Sequence, residues 1–162
     1  MLRLYSRQFD RPAYWETWEK EGQTCIHFGT VGERGETLWF PAHLREAMTR
    51  KLAGEVEKLR EKGYEELAPD EFCQFVVQYP TALIDAATRE RLEALIDEAL
   101  GWTGNGTCDG VDANGQRVNI LCAVLAPPPA CETILAILRE ERLLKGATLA
   151  ATVPGGADFF VA

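Results

Sequence analysis

Imidazole and thiol chemistry in this 162-residue chain must come from two histidines, His27 and His43, and five cysteines, Cys25, Cys73, Cys108, Cys122 and Cys131. The cysteines are widely spaced, odd in number and without a C-x-x-C pair, so neither a zinc cluster nor a redox dithiol is indicated. They read as reduced, mostly buried small hydrophobes. Two histidines are too few for a multi-histidine metal site. Ser6 is the single serine and lies near the start, which removes a Gly-x-Ser-x-Gly elbow and a Ser-His-Asp triad. Cys25 and His27 share one face of a strand by the period of two, an arrangement that lets a thiol and a base be neighbours; the plainer reading is an ordinary strand face. His43 and Glu46, one helical turn apart, read as a solvated pair.

The segment Gly101–Gly110 holds Trp102, Asn105, Cys108 and Asp109 beside four glycines. It reads either as a ligand or partner loop braced by a sheet, or as a helix-to-strand connection in which the glycines turn the chain and Trp102 caps the core. Its glycines are not in the Gly-x-Gly-x-x-Gly order of a dinucleotide cradle and no P-loop lysine follows. Asp109, Asp112 and Asn114 offer oxygen ligands at short spacing. In the EF-hand register, however, the first loop position is Gly110 and the twelfth is Leu121 where a bidentate Glu is needed, so a polar hairpin tip is expected.

Elements that would position these residues follow from periodicity. Ala13–Glu19 mixes aromatic and β-branched residues with charges, Glu21-Gly22 is a turn signal, Thr24–Phe28 makes a second strand, and Leu38–Phe40 resumes an extended pattern after Gly29, Gly32 and Gly35. Alternation puts Trp15 and Trp18 on opposite faces of this meander. One face feeds a core; the other either exposes an aromatic surface beside Arg34 or is covered by the second half of the chain. From Pro41 to Lys62, Leu44, Ala47, Met48, Leu52, Val56 and Leu59 fall at helical steps, with Gly63 placed as a stop. Ala68-Pro69-Asp70 is the expected boundary. Beyond it come a strand at Phe72–Tyr79, an amphipathic helix at Asp85–Leu100, strands at Gly106–Val111 and Arg117–Leu125 around an Asn114-Gly115 type I′ turn, a helix at Ala130–Arg142 after three prolines, and a strand at Ala147–Val153 with Phe159–Val161 as an extension. Strand, helix, strand, strand, helix, strand is the split βαβ order of ferredoxin-like sandwiches.

Tyr14-Trp15-Glu16, the run from Ile26 to Thr37, and Lys58–Tyr64 together resemble the WGR domain, a small sheet backed by a helix found in poly(ADP-ribose) polymerases and in bacterial proteins. The resemblance covers about the first two fifths of the chain. The signature triplet falls on Phe28-Gly29-Thr30. In the family, the tryptophan and arginine help hold nucleic acid and relay contacts between domains, so this copy departs where a charge-assisted donor is needed. The later half, most visibly Leu100–Gly110 and Asn119–Leu121, looks like an uncharacterised bacterial ferredoxin-like module, which implies a fold and no chemistry. The expected class is α+β, with a WGR-like domain over 1–67 and a ferredoxin-like domain over 70–162.

Charge narrows the partner. Met1–Leu67 carries 11 Lys and Arg against 12 Asp and Glu, whereas Ala68–Ala162 carries 6 against 13. The second half is a poor phosphate binder. No apolar run reaches the roughly 18 residues of a membrane span and no signal peptide is evident at the start, so a cytoplasmic location is expected. The reading is a non-enzymatic adaptor or regulatory protein, without cofactor or metal, that binds another protein, a cationic one by steering, through Trp15, Trp39, Arg34, Trp102, Asn105 and Asp109. The alternative is nucleic-acid binding through Arg34, Arg45, Arg50, Lys51, Arg60 and Lys62. A third is a small enzyme centred on Asp109 with Cys108 or Asn105.

Overall fold

The computed structural model describes residues 1–8 and 10–152, and residues 159–161 by their backbone. Among these the chain is mixed α+β, with three α-helices and two antiparallel sheets. The first sheet has the order β1 (Leu2–Ser6), β2 (Ala13–Lys20), β3 (Gln23–Thr30), β4 (Glu36–Phe40). Between β2 and β3, Lys20 pairs with Gln23 across Glu21 and Gly22. Both turn residues have positive φ, 51° and 75°, the two-residue hairpin geometry that matches strand twist.

A 3-10 turn at Ala42–Leu44 leads into α1 (Arg45–Glu61). Gly63 at φ 78° ends the helix, with its own N–H on the Arg60 carbonyl and the Tyr64 N–H on that of Leu59, the closure that a left-handed residue permits. Leu4, Trp15, Ile26 and Met48 form the apolar layer between this helix and the sheet. Met48 is the one buried residue among the described side chains of α1. A cleft of about 550 Å³ remains between helix and sheet, with Leu38, Phe40 and Leu59 on its walls.

The second sheet is built from β5 (Cys73–Pro80), β6 (Gly106–Ala113), β7 (Arg117–Val124), β8 (Thr148–Thr152) and β9 (Phe159–Val161), in the order β6-β7-β5-β8-β9. All its neighbours are antiparallel. Burial alternates along β5 and β7, so Phe75, Val77, Tyr79, Val118, Ile120 and Val124 share one face. Against that face lie Leu92, Ile96 and Leu100 of α2 (Ala86–Trp102) and Ala130, Ile134 and Leu138 of α3 (Pro127–Glu140). Asp85 caps α2 by accepting the Thr88 N–H at 2.7 Å, which satisfies one of the donors a helix start leaves over.

Several local expectations are corrected. Asn114 and Gly115 do not adopt positive φ; the hairpin tip is closed instead by the Asn114 side chain, whose Oδ1 accepts the N–H groups of Gln116 and Arg117 at 3.1 and 2.9 Å, local hydrogen bonds that stand in place of the type I′ turn. The three prolines do not precede α3 but form its first turn, where the missing N–H groups would have no partner anyway. β1, not expected from the sequence, pairs with β2 from Leu2↔Thr17 to Ser6↔Ala13. Val153 lies outside the described residues. No helix among those described is long and apolar enough to cross a membrane.

Candidate functional site

Alternation along β2 sorts its side chains. Trp15 turns toward α1, while Tyr14, Glu16 and Trp18 turn the other way and meet Gly29, His27 and Cys25 as register partners on β3. Arg3 of β1 stands opposite Glu16 on the outer side. This puts four polar side chains in a row across three strands: Arg3 Nε lies 2.5 Å from Glu16 Oε2, Glu16 Oε1 2.8 Å from His27 Nδ1, and His27 Nε2 2.9 Å from Tyr14 Oη. Gly35 N–H donates to Tyr14 Oη at 2.9 Å. Every group is satisfied when His27 donates Nδ1–H to the carboxylate and accepts the tyrosine proton at Nε2. Tyr14, Glu16 and His27 are all buried, so the pairing offsets the desolvation that an isolated carboxylate would suffer. Burial pushes the Tyr14 phenol up to about 12.

The second half of the chain covers this row. Trp102, the last residue of α2, has its ring 5.2 Å from that of His27 and 6.2 Å from that of Trp18, and Trp18 in turn lies 6.2 Å from Trp39. The tryptophan contacts are edge-to-face, at 70° and 86°, the arrangement favoured by ring quadrupoles. Arg34 places its guanidinium carbon 5.4 Å over Trp102, within cation–π range. The halves also meet where Gly32 N–H donates to the Thr103 carbonyl at 2.9 Å, and where Tyr5, Tyr14 and Val31 pack with Phe72, Leu125 and Ala126. Two glycines make the approach possible. A Cβ on Gly32 would stand 2.4 Å from Pro129, and one on Gly104, 2.2 Å from the Tyr14 ring.

Beside the tryptophans is an open groove of about 300 Å³, lined by Arg3, Glu16, Trp18, Asp97, Glu98 and Trp102 among others. Glu16 is held by Arg3 and His27, and Asp97 accepts from Thr107 Oγ1 and the Cys108 N–H at 2.7 and 2.8 Å. Glu98 brings a further carboxylate to the rim. Trp39 remains 45% exposed. The surface therefore combines aromatic edges with carboxylates, the pairing that suits a cationic side chain.

Of the residues expected to contact a partner, Arg34, Trp39 and Trp102 are brought together here. Trp15 is buried under α1 and Asn105 is fully buried, so neither offers surface. Asn105 instead clamps the chain internally, its amide donating to Ala126 O at 2.9 Å and accepting from Ala126 N–H at 2.8 Å. Asp109 is exposed at the bulge in β6, where the register skips from Cys108 to Gly110. Gly101–Gly110 takes the helix-to-strand reading: α2 runs through Trp102, β6 starts at Gly106, and three residues connect them. Trp18, Arg3, Glu16 and Glu98 were missed. The signal for Trp18 was its alternation with Trp15; the error lay in choosing which face met solvent.

Cys25 and His27 are both buried, and both ring nitrogens of His27 are engaged; burial pushes the Cys25 thiol up to about 11. They form no thiol and base pair. His43 lies in the turn before α1 and makes no ion pair with Glu46. Cys108 Sγ sits 3.2 Å from Cys122 Sγ, a contact that with burial raises the Cys108 thiol far above its ordinary range. Among the described residues no group of three or more His, Cys, Asp or Glu could hold a metal ion. On α1, Lys51 and Arg60 are nine residues apart and so on opposite sides of the helix, and Arg60 is paired with Glu66 at 3.2 Å. The Arg45 side chain lies outside the described residues, and Arg50 and Lys62 are exposed. No family model, no curated protein and no solved structure matches the chain.

Proposed function

We propose that the chain is a non-enzymatic binding protein of bacterial type that recognises a basic segment of another protein at the tryptophan groove. The observation that carries this reading is the edge-to-face row Trp39, Trp18, Trp102 beside the carboxylates of Asp97 and Glu98. Tryptophan and arginine are the usual anchors of protein interfaces, and the 6 to 13 imbalance of basic and acidic residues beyond Leu67 steers a cationic partner toward it. The histidine most able to act as a base has both nitrogens occupied, which supports binding over turnover.

The finer fold reading belongs here also. Three strands and a helix after β1 agree with the WGR-like resemblance of residues 1–67, and the order β6-β7-β5-β8, with β7 between β5 and β6, agrees with a split βαβ, ferredoxin-like arrangement of residues 70–162. Nucleic-acid binding is the weaker reading, because Arg34 lies over Trp102 and Lys51 and Arg60 fall on opposite sides of α1, so its cations form no single stripe.

The test is an affinity capture from cell extract at two salt concentrations with the full chain, Trp39→Ala and Glu98→Lys. A basic protein retained by the parent at low salt and lost by both variants supports the reading. Identical retention by all three sinks it.

A further inference from the structure

A β-strand at the margin of a sheet presents unpaired N–H and C=O groups, and proteins blunt such margins with short strands, bulges, charges or covering segments. Three of the four margins here are blunted in recognisable ways. β1 is bridged by Glu65, which exchanges backbone hydrogen bonds of 2.8 and 2.9 Å with Tyr5. β6 carries the bulge at Asp109, and its Cys108 N–H is taken by the Asp97 carboxylate. On the far side of the second sheet β9 covers β8 and is itself three residues long.

β4 is the exception. It has the sequence Glu36-Thr37-Leu38-Trp39-Phe40, with no proline or lysine and a regular register to β3 from Phe28↔Glu36 to Thr24↔Phe40. Among the described residues no backbone hydrogen bond reaches its outer side. Leu38 and Trp39, on opposite faces, are each 45% exposed. The cleft beneath α1 has Leu38 and Phe40 of this strand on its walls.

We propose that β4 pairs with β4 of a second copy of the chain, antiparallel about a two-fold axis through Leu38, joining the two four-stranded sheets into one of eight. The strand is self-complementary in that register. Leu38 meets Leu38 on the α1 side, Thr37 meets Trp39 on the other side, and Glu36 meets Phe40, so the single charge never faces its own copy. Directly opposed apolar and aromatic pairs are the unit of sheet stabilisation, and like charges would oppose it. Charge favours a copy over a basic peptide at this edge: residues 1–67 are nearly neutral, 11 basic against 12 acidic, while the acidic excess lies in the other half. Pairing there also places a second β4 beside the cleft under α1, removing more apolar surface from water. This contact goes beyond the partner reading and uses the backbone edge of β4, whereas the groove is lined by Trp18, Asp97, Glu98 and Trp102 and by no residue of β4.

The experiment is sedimentation of the full chain across a concentration series, alone and as Leu38→Lys and Leu38→Glu, with the thermal transition of each variant checked to confirm folding. The parent sediments as a dimer. Each variant places two like charges opposite one another, and its dimer dissociation constant rises by at least about tenfold. Mixing the two variants in equal amounts restores the dimer, because Lys then faces Glu; a merely damaged strand would not respond to mixing. A parent that is monomeric throughout, a dimer that both variants retain, or a mixture that stays monomeric overturns the proposal. Glu98→Lys lies on α2, away from β4, so its loss of partner capture leaves the dimer in place and the two readings fail separately.

Discussion

His27 Nδ1 lies 2.8 Å from Glu16 Oε1 on paired positions of adjacent strands, and both side chains are buried. Glu16 also carries the Arg3 contact, so one carboxylate holds two donors. Removing it leaves Arg3 and His27 without their acceptor. Glu16→Ala is expected to lower stability by about 3 kcal/mol, read as a fall in the denaturation midpoint; a loss below about 1 kcal/mol would show that the row contributes little.

The two tryptophans on opposite faces of the first sheet should behave differently. Trp15→Ala opens a void under α1 and is expected to lose about 3–5 kcal/mol. Trp39→Ala, at an exposed strand margin, stays within about 1 kcal/mol of the parent. Chemical denaturation of the pair measures both, and equal losses would contradict the burial pattern.

Gly104 and Gly115 provide a matched comparison of glycines. At Gly104 φ is 58° and an added Cβ would strike the Tyr14 ring, whereas at Gly115 φ is not positive and nothing lies within 4 Å. Gly104→Ala therefore destabilises by more than about 1 kcal/mol and Gly115→Ala is neutral or slightly stabilising. Differential scanning of the two melting temperatures decides it.

Burial raises Tyr14 and Tyr79 from about 10 to about 12. The folded chain favours their neutral form, so this share of stability is intact below the ordinary value near 10 and is lost as pH climbs toward 12. An absorbance titration at the tyrosinate band should show part of the signal delayed beyond the unfolded chain's midpoint, with cooperative unfolding overtaking it. A native curve superimposed on the unfolded one would refute this.

Thiol reactivity follows the same logic. Cys25 is raised to about 11 from an ordinary value of 9 by burial, which lowers its thiolate fraction at pH 8 by about a hundredfold. Cys73, Cys108 and Cys131 are raised also. A disulfide reagent should label the native chain slowly and all five cysteines promptly after denaturation.

Much of the framework was readable from residue order because the physics is local. The alternation at Cys73–Tyr79, the helical steps from Leu44 to Leu59 and the stop at Gly63 each report a period or a φ requirement that needs no distant partner. β1 was not, since Leu2 and Leu4 alone carry its alternation and only pairing with β2 makes it a strand. Gly101–Gly110 was readable as a helix-to-strand connection, but not what fixes its glycines: Gly104 is set by the Tyr14 ring and Gly106, at φ 150°, by the nearby Ala123 carbonyl. Arg3, Glu16 and Trp18 had no visible role because their partners come from three strands and the end of α2.

Trp102 closes over His27 from a position some 75 residues further along the chain. A chain ending before Trp102 lacks the ring that covers His27 and is expected to leave that imidazole more open to water. The covering of the amino-terminal sheet thus depends on sequence contributed by the other half, and separating the two halves is expected to expose it.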